Sequence, residues 1–371
     1  LKIYPDELLS SYIARLAHSL GLVTHTFAIN TWGSSSILQN DIDRTIKQDY
    51  LDSLKRIYGA AEYSGLEEDV KWLISANKVR VQEPNILNLC IRGRERNKAG
   101  QQYCPLCVKE KCYFKKIWRL AFLPVCPEHR CLLINSCPYC HSPIDPLKVS
   151  PMLKDIGYCP YCWRNLRVRK VARVEYVPKL IHSLNEAASN KWFEHERLQM
   201  YSCLFMEGFW RIVYSIYGTR SRKKEIWRKL CNHYGIEYQE LSKSRPYNNF
   251  KDETPALRFK ILIIVDKLLK HWPKEFVKIG KLYGLGISNF DPAGKGLPYW
   301  IDKVVCKELN SGWYRVNIRE IESCLSYMQK HNLPITRMGL ARELGLDESK
   351  KLNHKERELF KKYVKASSVK I

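Results

Sequence analysis

CPLCVKEKCYFKKIWRLAFLPVCPEHRCLLINSCPYCHSPIDPLKVSPMLKDIGYCPYC, residues 104 to 162, decides how the chain is read. Nine of the 14 cysteines fall here: Cys104, Cys107, Cys112, Cys126, Cys131, Cys137, Cys140, Cys159 and Cys162. Seven of them belong to the C-x2-C or C-x2-H pairs Cys104/Cys107, Cys126/His129, Cys137/Cys140 and Cys159/Cys162. Adding 33 to the positions of the first two pairs gives the second two, and 18 residues separate the pairs within each half. Pro105 maps to Pro138 and Pro127 to Pro160 by the same shift. The pattern is a tandem repeat of one small metal module. The first copy carries three cysteines and a histidine, the second four cysteines.

A C-x2-C turn aims two thiolates at one ion, and a second such knuckle completes the tetrahedron that Zn²⁺ accepts. Soft sulfur donors favour zinc or iron–sulfur over calcium or magnesium. In a reducing compartment, paired cysteines hold metal rather than disulfides. Two structural Zn²⁺ ions per chain are therefore expected. Sequential pairing follows the repeat, while a cross-braced arrangement, first pair with third and second with fourth, stays open. Each ion can be saturated by four ligands, and neither H-E-x-x-H nor H-x-E…C-x-x-C occurs, so the metals read as structural. Cys112, Cys131 and His141 are spare beside the ligands. In the first module Trp118, Leu120, Phe122 and Val125 can form a small core. The second, richer in proline, reads as a short ribbon. Neither has the spacing of a ββα finger.

Working outward, 62 Lys and Arg oppose 38 Asp and Glu over 371 residues, a formal charge of +24. That excess points to a polyanionic partner, most often nucleic acid. An apolar fraction of 45% excludes wholesale disorder. No stretch approaches the roughly 18 apolar residues of a membrane span. The opening LKIYPDELLSSYIARLAH lacks the pattern of a signal peptide, and its missing initiator Met suggests a trimmed start. A cytoplasmic, prokaryotic setting without membrane or small-molecule substrate is expected.

The fold class expected is mainly α: a helical N-terminal domain at 1–98, the tandem metal modules at 99–175, a helical domain at 176–245, and a helical C-terminal domain at 246–371. Leu8, Tyr12, Leu16 and Leu20 recur at helical spacing, with Asp6 and Glu7 placed in the first turn and Gly21 as the stop. Further helices are expected over 50–58, 66–76, 179–190, 195–217, 223–234 and 256–271, with 280–298 irregular. Ile335, Leu340, Ala341 and Leu344 give a short helix, followed by Gly345 and a second helix from Asp347 carrying Leu352. This has the shape of a helix-turn-helix at 335–352, and equally that of a packed helical bundle.

Three basic runs stand out: 92–98, 164–173 and 219–229. Their candidate nucleic-acid or partner contacts are Arg92, Arg94, Arg96, Arg167, Arg169, Arg222, Lys223 and Lys224, joined by Lys350 and Lys351 of the C-terminal segment just described. A solvated surface is the plain alternative for each. An enzyme such as a nuclease would place carboxylates around a hard metal. Glu7, Asp41, Asp43, Asp49, Glu67, Glu68 and Asp69 form no recognisable motif, so no catalytic residues are assigned.

The opening PDELLSSYIARLAH, with Cys104/Cys107, Trp118, Cys126/His129, Leu132, Leu133 and Cys137/Cys140, closed by Cys159 and Cys162, resembles the TniQ/TnsD family of transposon target selectors. The resemblance covers roughly residues 5–162. It implies a non-enzymatic protein of DNA transposition that recruits an AAA+ regulator, which engages the transposase. One branch of such proteins binds a chromosomal attachment site in duplex DNA. Another serves as an adaptor on a CRISPR Cascade ribonucleoprotein and often forms a homodimer. The chain leans to the adaptor branch, because Asp347 and Glu348 would meet phosphates unfavourably in a groove-bound helix. A zinc-containing transcription regulator is a further alternative.

Overall fold

The computed structural model of the protein describes residues 1–44, 46–59, 62–73, 85–87, 101–167, 171, 173–218, 221–239, 250–292, 294, 296–309, 316, 318–344 and 354–368. The chain forms two compact units, Leu1–Phe276 and Val277–Ile371. The first draws on all of segments 1–98, 99–175 and 176–245.

The first unit opens with α1 (Leu9–Ser19), α2 (Thr24–Trp32), α3 (Gln48–Tyr58) and the single turn α4 (Leu66–Asp69). The apolar stripe of α1 is buried through Leu9, Tyr12, Ile13, Leu16 and Ala17. Gly21, at φ +69°, takes the left-handed conformation that ends it. One expectation is corrected: α1 starts at Leu9, so Asp6 and Glu7 precede its first turn. Glu7 instead accepts bonds from Tyr4 N at 3.1 Å, Ser11 Oγ at 2.8 Å and Arg15 Nε at 2.9 Å.

The short helix α5 (Pro105–Glu110) lies in the cysteine-rich stretch, and α6 (Lys179–Ser189) follows it. Residues 195–217 are not one helix. An antiparallel hairpin, β1 (Trp192–His195) with β2 (Leu198–Tyr201), precedes α7 (Ser202–Ile216). Its register pairs Phe193 with Met200 and His195 with Leu198, and these four residues are buried while their neighbours alternate outward. Glu196 turns the hairpin at φ 53°. Phe193 stacks on Phe205 at 3.4 Å between ring centroids, which joins the hairpin to α7.

Next come α8 (Ser221–His233), ended by Gly235 at φ +63°, and α9 (Pro255–Leu269), capped by the Thr254 hydroxyl on Leu257 N at 3.3 Å. α9 is buried on nearly every face, including Ile261, Leu262, Ile264, Val265 and Leu268.

The later elements are α10 (Lys274–Leu282), α11 (Ile287–Phe290), α12 (Tyr299–Val304), α13 (Ile318–Lys330), α14 (Arg337–Glu343) and α15 (His354–Ser368). The irregular stretch at 280–298 thus contains the end of α10 and the turn α11. In the second unit Ile321, Leu325 and Met328 of α13 bury Leu340 of α14, with Leu359, Phe360 and Tyr363 of α15 packed against them. The chain is mainly helical, with a small, open β-sheet.

Candidate metal centres

Three of the four knuckles have the same backbone. Cys126 N donates to Cys131 O at 2.8 Å, Cys137 N to Ser142 O at 2.8 Å and Cys159 N to Arg164 O at 2.9 Å. The residue four places on takes a left-handed conformation each time: Arg130 at φ 49°, His141 at 57° and Trp163 at 60°. Isolated bridges Val125–Leu132, Ser136–Pro143 and Tyr158–Asn165 close the three small loops. The fourth knuckle differs because Cys104 leads into α5, where Pro105 suits the first helical position.

These loops gather Cys104, Cys107, Cys126 and His129 in one group, and Cys137, Cys140, Cys159 and Cys162 in another. Within each, the ligand atoms lie within 4.8 Å of one another. Each group unites consecutive pairs, so the geometry matches sequential rather than cross-braced pairing. Cys107 Sγ lies 3.6 Å from Cys126 Sγ, and His129 Nδ1 lies 3.6, 3.2 and 3.7 Å from the sulfurs of Cys104, Cys107 and Cys126. In the second group Cys137–Cys162 and Cys140–Cys159 are both 3.6 Å. A tetrahedral ion with bonds of about 2.3 Å to sulfur sets its sulfurs about 3.8 Å apart. The donor sets therefore fit a metal ion, and each cluster could hold one.

The surroundings orient the ligands. His129 Nε2 lies 2.9 Å from Glu110 Oε1, so the carboxylate favours the tautomer that turns Nδ1 toward the sulfurs. Glu110 ends α5, three residues after Cys107, and its position in that turn was the signal available in the sequence. In the second group the amides of Tyr139 and Tyr161 each approach a knuckle sulfur, Cys137 and Cys159, at 3.5 Å.

Of the spare cysteines, Cys112 stands apart from both groups. Cys112 Sγ donates to Asp155 Oδ1 at 3.3 Å, and burial followed by that negative charge pushes its thiol up to about 12. Cys131 is fully buried, 3.5 Å from Cys104 Sγ, at the edge of the first group.

The cysteine-rich stretch also anchors its neighbours. Trp118, Leu120, Phe122 and Val125 are buried. Leu8 N donates to Phe114 O at 2.9 Å, and Lys116 N to Asp6 O at 2.7 Å, tying the stretch to the start of α1. Arg119 reaches Asp41 and Asp43, and Arg258 of α9 donates to Ala121 O and Gln102 Oε1. Burial pulls the Arg258 guanidinium down to about 9.

Six of the seven carboxylates considered for hard-metal chemistry face cations instead. Glu7 pairs with Arg15, Asp41 and Asp43 with Arg119, Glu67 with Arg44, Glu68 with Lys71 and Asp69 with Lys116.

Among the candidate contacts, Arg167 pairs with Asp155 at 2.6 Å and donates to Val108 O at 3.3 Å, bridging the second module to α5. Arg222, Lys223 and Lys224 lie on the first turn of α8. Arg222, Arg228 and Lys229 are exposed, whereas Ile226, Trp227 and Leu230 are buried on the opposite face. The Lys223 ammonium donates to Tyr214 O of α7. Arg92, Arg94, Arg96, Arg169, Lys350 and Lys351 lie outside the described residues, as do Gly345, Asp347 and Leu352 of the 335–352 segment. Within that segment α14 is described, and Thr336 caps it through Gly339 N at 2.9 Å.

Among the described residues, no helix is long and apolar enough to cross a membrane. No curated protein matches the chain. Residues 1–133 match the TniQ family, a segment that begins before α1 and takes in all four ligands of the first metal group.

Proposed function

We propose that the chain is a target-site selector of DNA transposition, linking a CRISPR Cascade complex or target duplex DNA to an AAA+ regulator. The family match carries the general part of this reading: TniQ-family proteins act in transposon target-site selection as non-catalytic adaptors. The match over residues 1–133 is the observation that supports it most. Each cysteine cluster holds one structural Zn²⁺, through Cys104, Cys107, Cys126 and His129 in one module and Cys137, Cys140, Cys159 and Cys162 in the other. Bound zinc would supply folding energy here rather than a reactive water, since four protein ligands saturate each ion.

The basic runs supply electrostatic contact. The exposed side of α8 is the described part of that surface, and it would meet phosphates of duplex DNA or of a ribonucleoprotein. The segment 335–352 would form the helix-turn-helix, contacting DNA through Lys350 and Lys351. Two other readings share much of this chemistry: a direct binder of a chromosomal attachment site, and a zinc-containing transcription regulator.

Affinity capture separates them. The purified chain should retain the AAA+ regulator encoded beside it, with Cascade or duplex DNA strengthening retention. Specific duplex binding alone, with no retention of the regulator or Cascade, would leave the transcription-regulator reading.

A further inference from the structure

We propose that the second metal module carries a stacking platform for unpaired nucleobases, formed by Tyr139, Tyr161 and Trp163 with Arg164 and Lys148. The three rings are 46%, 51% and 60% exposed, although they flank one ligand cluster. Tyr139 and Tyr161 are the second spacer residues of two C-P-Y-C knuckles, and Trp163 follows the last ligand.

The internal repeat shows that the metal fold does not require them. At the positions 33 residues earlier stand Leu106, Glu128, Arg130 and Cys131 in place of Tyr139, Tyr161, Trp163 and Arg164. The backbones of the Cys126 and Cys159 knuckles agree nonetheless, down to the left-handed residue shared by Arg130 and Trp163, whereas the Cys104 knuckle that carries Leu106 leads into α5. The aromatic set thus belongs to the surface of the second module and not to its construction. Exposed aromatic clusters of this kind mark interaction sites.

Charge selects the partner. Arg164 lies over the Tyr139 ring at 5.0 Å and Lys148 over the Tyr161 ring at 6.0 Å, so the two described tyrosines each sit beside a cation. A flat apolar face beside a positive charge suits a base with its phosphate. Every nucleobase offers a π-face, so the platform would be sequence-tolerant. A paired duplex hides its base faces and would not use the rings. Duplex contact at α8 does not use the rings and would survive their loss.

Anisotropy of end-labelled oligothymidylate and oligouridylate, each about 12 nucleotides, tests this with the full chain. Trp163→Ala and Tyr139→Ala should each weaken binding about fivefold or more, and the triple variant with Tyr161→Ala should weaken it about a hundredfold or more. The salt slope should persist in these variants and become shallower in Arg164→Gln, because only the latter removes a phosphate contact. Tyr139→Phe with Tyr161→Phe should retain affinity, since the ring faces remain. Metal content should match the parent chain throughout; if the triple variant loses metal, the single Trp163→Ala variant decides. The two oligonucleotides distinguish a DNA strand from an RNA strand. Unchanged affinity with metal intact overturns the proposal. So does an equal loss for duplex of the same length, or loss of regulator capture with oligonucleotide binding retained, which would assign the rings to a protein.

Discussion

Arg119 and Asp43, 76 residues apart and both fully buried, form an ion pair at 3.1 Å. Asp43 also accepts Ser10 N and Ser10 Oγ, each at 2.7 Å, while Arg119 donates to Asp41 and to Leu87 O. The pair therefore locks α1 and the loop before α3 onto the first metal module. It gives a physical reason for the TniQ match to run through both regions as one segment.

Removing one partner should be strongly destabilising, because the other charge is left buried. Arg119→Met alone should cost about 3–5 kcal/mol, and Arg119→Met with Asp43→Leu should cost less than that. Denaturant midpoints at constant slope check both values.

Asp43 also sets a pH dependence. Burial pushes its carboxyl up to about 6, against the pull of Arg119 and from the ordinary 3.8. The folded chain then holds more protons than the unfolded chain between those values, so this group's contribution is full below about pH 4 and is lost as pH rises through about 6. Asp43→Asn should remove that component from a plot of stability against pH. An unaltered profile would reject it.

Metal analysis should find close to two zinc ions per chain. Cys104→Ser or Cys126→Ser should lose about half the metal and loosen the first unit, whereas Cys112→Ser should retain it. Glu110→Gln should keep the ligands but weaken metal affinity about 10- to 100-fold, by removing the carboxylate behind His129. Equal losses in all variants would contradict two separate centres.

Substituting Arg222, Lys223 and Lys224 together should make binding to duplex DNA or ribonucleoprotein less steep in salt. Titration over a range of salt reads the slopes.

The ligand pattern was legible because tetrahedral sites demand paired donors at short spacing, and Cys104 through Cys162 show that spacing twice. The long apolar helices α1 and α9 were legible for a similar reason, periodic burial. The hairpin at 192–201 was not, since its few residues run directly into α7 and their aromatics also fit helical spacing. Glu7, Asp43 and Arg119 carried no local signal either: their roles depend on contacts between residues far apart in the chain.

The mapped distribution of insertion sites, in cells with and without the chain, tests target selection most directly. Insertions should concentrate at the programmed target when the intact chain is present. They should lose that concentration when it is absent or carries Cys126→Ser, with transposase and AAA+ regulator supplied throughout. An unchanged distribution without the chain would contradict the account.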